Sequence, residues 1–467
     1  MVMTGIGDLE REYISKHGRS KELYERACKC FPSGVTHDSR YAKPFPIYMV
    51  KAKGTKKWDV DGNEYIDYVM GHGTLILGYD NEKVTAAIQE QVPKAVHMGS
   101  CTELEIEWAE TIKKLVPSAH DGFVRATSCG TEAVQMAIRL SRIYTGRDKI
   151  VIFGGCYHGK GDNTICGYRG PPFKFYNVRG IPRGVLNDVI VLPLNDLDVV
   201  EEALATGEVA CLILRGNDQY TKEYIQGVRR LTKQYGVVFI LDEVISGFRY
   251  ALGGAQEYYN VMPDLSTFGK IVGGGVPIGA ICGSKDILQY YEFRDDYWNR
   301  FVRIAVGGTW NAQPICIVGG IALMNTLSEE RNEIYPRLYT IGKRLTESFN
   351  DTAEDMGLSA LTHALPYDNP VWFGINLLNK PLPPEKRYIW EIGPRSFEDY
   401  ALRAQYAADT QAYYANYLSL VNNGIFSFGG RSFMPCAIYT DEELEKTEEA
   451  FEASLKILKE NDLVAKI

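Results

Sequence analysis

The sequence predicts an α/β fold with a mostly parallel sheet, and three observations carry that reading. From about residue 80 to 325, helical stretches alternate with short apolar runs, among them Ile150 to Phe153, Val189 to Leu192, Cys211 to Leu214 and Val237 to Leu241. Alternation of this kind places strands in a parallel sheet with helices on both faces. At 467 residues the chain exceeds what one core organises, so two domains are expected. After about residue 330 long helical segments return and end in Asp441 to Lys459, which implies a smaller second domain. The expected division is 1–79 as an N-terminal segment of the small domain, 80–329 as the large domain and 330–467 as the rest of the small one.

The elements follow in chain order. Glu10 to Lys29 has the spacing of one amphipathic helix, closed near Phe31-Pro32-Ser33-Gly34. Trp58 to Asp67 reads as a hairpin turning on Asp61-Gly62. The stretch from Gly167 to Gly184 is rich in Gly, Pro and Arg and reads as an active-site loop, with a long connection as the alternative. No internal repeat or low-complexity tract interrupts the chain.

Composition narrows the function. Hydrophobic content of 45% and charged content of 24% are those of a soluble globular protein. A net charge of −8 argues against nucleic acid as a partner. No apolar run is long enough to span a bilayer, and Met1 to Lys16 lacks an apolar secretory core. The 10 cysteines form no Cys-x-x-Cys pair, so neither a metal site nor a disulfide framework is expected. A reducing cytoplasm is the expected location.

Two segments carry the chemistry. Lys270 stands between the apolar stretch Ser266-Thr267-Phe268 and the run Gly273-Gly274-Gly275. Apolar neighbours desolvate an amine, and glycines let a flat cofactor approach the backbone, which suits a Schiff-base lysine. Asp242 ends the run Val237 to Leu241, where an acid suits the partner of a pyridinium nitrogen. Ligands of open parallel sheets sit beyond the carboxyl ends of strands. Asp242 lies at such an end, as do Tyr157 and His158 beyond Phe153 and Arg215 beyond Leu214. Cys129-Gly130-Thr131 opens a helix whose free amides suit a phosphate, the alternative being an ordinary N-cap by Ser128 or Thr131.

Leu241-Asp242-Glu243-Val244-Ile245-Ser246-Gly247-Phe248-Arg249, followed by Phe268-Gly269-Lys270-Ile271-Val272-Gly273-Gly274-Gly275, resembles the class III (omega-type) aminotransferases. Among them the likeness is nearest to glutamate-1-semialdehyde aminomutase and its relatives, and it spans Pro32 to about Asp441. The resemblance implies pyridoxal 5'-phosphate (PLP) as cofactor and PLP fold type I, the aspartate aminotransferase-like architecture with a large α/β domain and a small α+β domain. It implies that Lys270 carries PLP as a Schiff base, that Asp242 pairs with the pyridine nitrogen and that Val244 is among the cofactor-binding residues. Cys129-Gly130-Thr131-Glu132 is similar to the family's Ser-Gly-Thr-Glu phosphate loop, with Cys129 in place of serine. Tyr157-His158-Gly159 is similar to a segment whose aromatic ring stacks on the pyridine. Gly308-Thr309 through Pro314 resembles a segment whose threonine reaches the phosphate of a neighbouring subunit, so Thr309 implies a homodimer with shared active sites. Read without the family, Tyr157 is a core or interface residue and Thr309 a turn entering a helix.

Substrate recognition is expected from arginines, whose fork fits a carboxylate. Arg40, in Pro32-Ser33-Gly34-Val35-Thr36-His37-Asp38-Ser39-Arg40, resembles the carboxylate-binding arginine of the aminomutase branch. Arg431, before Ser432-Phe433-Met434-Pro435, resembles that of the ornithine-aminotransferase branch. Each is otherwise a structural salt bridge. The chain departs from the family at Arg215-Gly216-Asn217-Asp218, where a Glu-Pro is usual, at His72, where the aminomutase has a pocket tryptophan, and at Tyr79, where a histidine is usual. Arg215 either recruits an anionic group of the substrate or reorganises the pocket, with a structural ion pair as the alternative. The expected function is PLP-dependent transamination between a small-molecule amino donor and an oxo acceptor. An aminomutase, or an amino acid racemase or epimerase, is the alternative on the same residues.

Overall fold

In the computed structural model, which describes residues 5–168, 179–217, 220–365, 368–383, 386 and 405–466, the stretch from Glu10 to Lys29 forms two helices and not the single one expected. They are Ile6–Lys16 and Gly18–Ala27, divided at His17. The His17 ring is buried and held at both nitrogens, Nδ1 2.5 Å from the Tyr13 carbonyl and Nε2 2.6 Å from the Tyr65 hydroxyl. Asp61 then accepts from the amides of Arg19 (2.6 Å) and Ser20 (3.0 Å), satisfying the free donors that open the second helix.

Asp61 belongs to the expected hairpin. Strands β1 (Met49–Lys53), β2 (Lys56–Asp59) and β3 (Glu64–Asp67) pair antiparallel in sequence. Gly62 takes φ +91° in the turn, and Asp59 Oδ1 accepts from the Asp61 and Asn63 amides at 3.0 and 2.8 Å.

Among the described residues two compact units form, 5–81 with 336–386 and 405–466, and 82–335. The second unit is built on a seven-stranded sheet. Its strands are β4 (Phe123–Thr127), β5 (Lys149–Phe153), β6 (Val189–Leu192), β7 (Val209–Arg215), β8 (Val238–Asp242), β9 (Leu265–Phe268) and β10 (Gly279–Gly283). They lie in the order β4-β10-β9-β8-β7-β5-β6, and β10 runs against both its neighbours while the others are parallel. The expected mostly parallel α/β sheet is therefore present. Strand β8 and nearly all of β7 are buried along their length, as apolar runs in a sheet covered on both faces must be. The helix Gly130–Thr145 lays Val134, Ala137 and Ile138 on the sheet beside Ile213, Ile240 and Ile281. Residues 169–178 of the expected loop, and Asp218, lie outside the described residues.

The first unit adds β11 (Ala360–Ala364), β12 (Phe373–Leu377), β13 (Ile425–Phe426) and β14 (Ser432–Phe433). Strand β13 runs parallel beside β3, while β11, β12 and β14 form a separate antiparallel sheet. Aromatic stacking knits its core, with Phe373 on Phe433 at 5.0 Å and Tyr68 on Tyr439 at 4.8 Å. No helix among the described residues is long and apolar enough to cross a membrane.

Burial holds the His17 pKa below its ordinary value, outweighing the opposite pulls of the Tyr13 carbonyl and of Asp59. The unfolded chain therefore takes up this proton first as pH falls below about 6.5, and the fold loses stability there. We expect Tm to drop between about pH 7 and 5, with a shallower drop in His17→Gln; parallel melting curves for the two proteins would exclude His17 as a source. His17→Ala should cost about 1–3 kcal/mol, because it abandons buried hydrogen-bond partners.

Candidate active site

The register of the large sheet decides which side chains meet. Arg215 ends β7 directly beside Asp242, which ends β8, and Asp242 in turn lies beside Thr267 of β9. Asp242 is 3% exposed. Its Oδ2 is 2.7 Å from His158 Nδ1, and its Oδ1 accepts from the Val244 amide at 3.1 Å and the Thr267 hydroxyl at 3.3 Å. Three partners on one buried carboxylate fix its direction. His158 is 1% exposed, and its Nε2 has no hydrogen-bond partner among the described residues. A buried ring nitrogen without a partner calls for a ligand or a water.

Lys270 follows β9 with φ +55°, a left-handed conformation that a lysine adopts at a cost of about 1–3 kcal/mol. Loss of solvent brings its amine down to about pKa 8, against the pull of Asp242 and aided by the charges of Arg215 and Arg249. An amine so shifted is available as nucleophile and base near neutrality.

The helix Gly130–Thr145 begins at Cys129 with no side-chain cap. The amides that open it have no acceptor among the described residues, the arrangement that suits a phosphate. The ordinary N-cap weighed for Ser128 or Thr131 does not form. Ser128 instead donates its hydroxyl to Asn311 Oδ1 at 3.0 Å and its amide to Glu132 Oε2 at 2.7 Å. Glycine is required at two contacts here. A Cβ on Gly130 would lie 2.6 Å from Val244 Cγ2, and one on Gly159, which has φ +94°, would lie 2.6 Å from Thr131 Oγ1. The Tyr157-His158-Gly159 segment thus rests on the helix opening. Tyr157 is 41% exposed, with its ring edge-on to Tyr168 at 4.8 Å. Thr309 is exposed, and its carbonyl accepts from His97 Nε2 (2.9 Å) and Gln313 Nε2 (2.6 Å).

The remaining candidates belong to the other unit. The Arg40 guanidinium donates to Thr36 Oγ1 at 2.8 Å, and the Arg431 guanidinium lies 3.6 Å over the Tyr413 ring. Neither pairs with a carboxylate among the described residues. His72 packs edge-on against Phe428 at 4.9 Å, and the Phe428 carbonyl accepts from the Arg431 amide at 2.9 Å. Ser39, next to Arg40, lies 3.1 Å from His72 Nε2, so Arg40, His72 and Arg431 share one neighbourhood of this unit. Tyr79 donates to Asp67 Oδ2 at 2.6 Å, a structural bond.

Four participants escaped sequence reasoning in their roles. Thr267 and Arg249 lie inside the quoted motifs but give no local sign that one bonds Asp242 and the other is wholly buried near Lys270. Asn311 meets Ser128 across 183 residues, a pairing invisible to any local pattern. Asn217 is fully buried with both amide atoms unpartnered among the described residues.

PLP fits these residues. An uncapped helix end suits its phosphate, glycine gives room at Gly130, a buried carboxylate suits its ring nitrogen and a depressed lysine suits its aldehyde. The fold and site define a PLP enzyme of fold type I. More narrowly, the chain belongs to the class III aminotransferase family, described as "Aminotransferase class-III", which matches residues 38–359. It is 34% identical to glutamate-1-semialdehyde 2,1-aminomutase of Archaeoglobus fulgidus over 451 residues, covering 94% of this chain and 100% of that protein. It is 40% identical to the enzyme of the same name from Persephonella marina over 358 residues, 74% of this chain and 81% of the relative. Among solved structures it resembles an omega-transaminase from Sphaerobacter thermophilus, with TM-score 0.80, 30% identity and coverage of 94% and 97% of the two chains.

Gly130→Ala should weaken PLP binding at least about tenfold, because the added methyl overpacks against Val244. Gly130→Ala/Val244→Ala should recover most of that affinity in an absorbance titration of the cofactor-free protein. An equal deficit in both variants would show that the clash is not the cause.

Proposed function

We propose that this chain is a PLP-dependent aminomutase that moves an amino group between carbons of one small amino-oxo acid. The observation that carries amino-group chemistry is Lys270, desolvated and facing the fixed carboxylate of Asp242. Transfer within one molecule is supported by two aminomutase relatives at 34% and 40% identity, one of them matched over its whole length. That evidence favours the aminomutase over the transamination expected from the motifs alone.

Bound PLP supplies an electron sink for the carbanion formed when a substrate C–H bond breaks. Lys270 would hold the cofactor through its amine and, once that amine is free, would serve as the base that takes up and returns the substrate proton. Asp242 keeps a proton on the pyridine nitrogen, and His158 holds Asp242 in place. The amides of Cys129, Gly130 and Thr131 would hold the phosphate, Val244 and Tyr157 would hold the ring, and Arg40 and Arg431 would take the substrate carboxylate, with His72 and Arg215 shaping its surroundings. A homodimer in the cytoplasm completes the reading, with Thr309 reaching the partner's phosphate. Val92, Met98, Ile106, Phe293, Phe301 and Trp310, all of the unit 82–335, are exposed apolar side chains of the kind that a partner subunit covers.

Transamination stays as the second reading because the solved omega-transaminase is 30% identical and because Arg215 and His72 depart from the aminomutase pattern. One experiment separates them. The PLP-loaded enzyme is given glutamate-1-semialdehyde with no other acceptor, and the position of the product's amino group is followed. Catalytic formation of the isomer aminated at carbon 1 is expected, with a loss of at least about a thousandfold in Lys270→Ala. Product that appears only when a separate oxo acid is added, with stoichiometric bleaching by an amino donor, would establish the aminotransferase instead. Proton exchange with solvent and no amino transfer would point to a racemase.

A further inference from the structure

Ser39 Oγ lies between two imidazoles, 2.9 Å from His37 Nδ1 and 3.1 Å from His72 Nε2. The Ser39 amide also donates to His37 Nδ1, at 3.1 Å. That bond makes Nδ1 an acceptor, so neutral His37 carries its proton on Nε2. The two rings stand 5.1 Å apart at 57°, and Phe428 closes the far side of His72 edge-on. His72 has φ +64°, between Gly71 at +60° and Gly73 at +80°. A histidine stays in that region only where its surroundings hold it there, and such strain gathers at binding and catalytic sites.

Folding does not explain the arrangement. His37, Ser39 and Arg40 are exposed, so the bridge covers no core, and exposed hydrogen bonds contribute little to stability. What it does provide is a set of polar groups fixed before anything binds. Arg40 follows Ser39 directly. One of its nitrogens is tied to Thr36, and its other donors have no partner among the described residues.

We propose that the His37–Ser39–His72 bridge is a specificity-determining element that binds a second oxygen function of the substrate, a hydroxyl, carbonyl or carboxyl, beside the carboxylate held by Arg40. The inference rests on the reading of Arg40 given above. The bridge offers the Nε2–H of His37 as a donor to such an oxygen, the Ser39 hydroxyl proton being given to His37 Nδ1. An aryl or alkyl group in the same place would leave that donor without a partner, a mismatch that polar sites reject strongly. The substrate class is therefore an oxygenated aliphatic amino acid and not an arylalkyl amine.

The test uses the full-length, PLP-loaded enzyme with Ser39→Ala and His72→Asn. Asparagine tolerates the left-handed backbone but is too short to reach Ser39. Each PLP-loaded protein is mixed with glutamate-1-semialdehyde or with a β-aryl-β-amino acid of equal charge, the bleaching of the cofactor band is followed as a single-turnover half-reaction over a range of substrate concentrations, and Tm is recorded. The ratio of the second-order half-reaction rate constants, oxygenated over aryl, should fall about tenfold in each variant, mainly through the half-saturating concentration. A proportional fall for both substrates, or no fall in the ratio, overturns the proposal. Arg40→Ala is the control for the underlying reading. An unchanged half-saturating concentration for both substrates in that variant would refute carboxylate binding by Arg40, whatever the bridge variants do.

Discussion

A carboxylate cannot remain buried and charged without partners, and the placement of Asp242 organises much of the catalytic unit. Its partners come from three directions: His158 beyond β5, Val244 in the turn after β8 and Thr267 on β9. Each is where it is because parallel strands end along one edge. The same edge brings Lys270 close enough for Asp242 to act on its amine. Glu243, the next residue, is wholly buried and accepts from the amides of Ala255 (2.9 Å) and Gln256 (3.0 Å) and from the Ser246 hydroxyl. Two adjacent acids therefore divide the work, one turned to the site and the other tying down the turn that carries Val244.

Close packing of backbone supplies the second constraint. Gly130 and Gly269 both lie against the side chain of Val244, and Gly159 lies against that of Thr131, so four segments from distant parts of the chain converge. That convergence leaves the opening of the helix Gly130–Thr145 accessible from the edge where Asp242 lies. A side chain at Gly130 or Gly159 would push the helix opening away from Val244 or from the Tyr157-His158-Gly159 segment.

Much of this was legible in the sequence because the informative features are local. Apolar runs at Ile150, Val189, Cys211 and Val237 became strands at those places, since burial on both faces demands continuous hydrophobicity. The turn at Asp61-Gly62 and the open helix end at Cys129 follow from residue type in the same way. What escaped depends on distance along the chain. The break at His17 requires the carboxylate of Asp61 and the hydroxyl of Tyr65, neither of which helix periodicity can register. Strand β4 alternates in burial and carries Arg125, so it gave no apolar run to notice. The bridge of His37, Ser39 and His72 joins residues 33 positions apart and depends on a positive φ that no composition rule assigns to histidine.

The departure at Arg215-Gly216 illustrates how a substitution in a family motif is made consistent locally. The Gly216 amide donates to the Asp242 carbonyl at 2.9 Å, a bond that proline, usual at this point in the family, has no hydrogen to make. A Cβ at this position would also lie 2.1 Å from Ser246 Oγ, the hydroxyl that binds Glu243. Glycine here is thus matched to Ser246 and adds a rung between β7 and the residue that directs the site. Arg215, held at the same strand end, then places a cation beside the Lys270 amine where the family places an anion. That reversal opposes protonation of Lys270 and so favours the neutral amine that both attachment of PLP and proton transfer require. The exchange therefore acts on Lys270 in the direction that its chemistry needs.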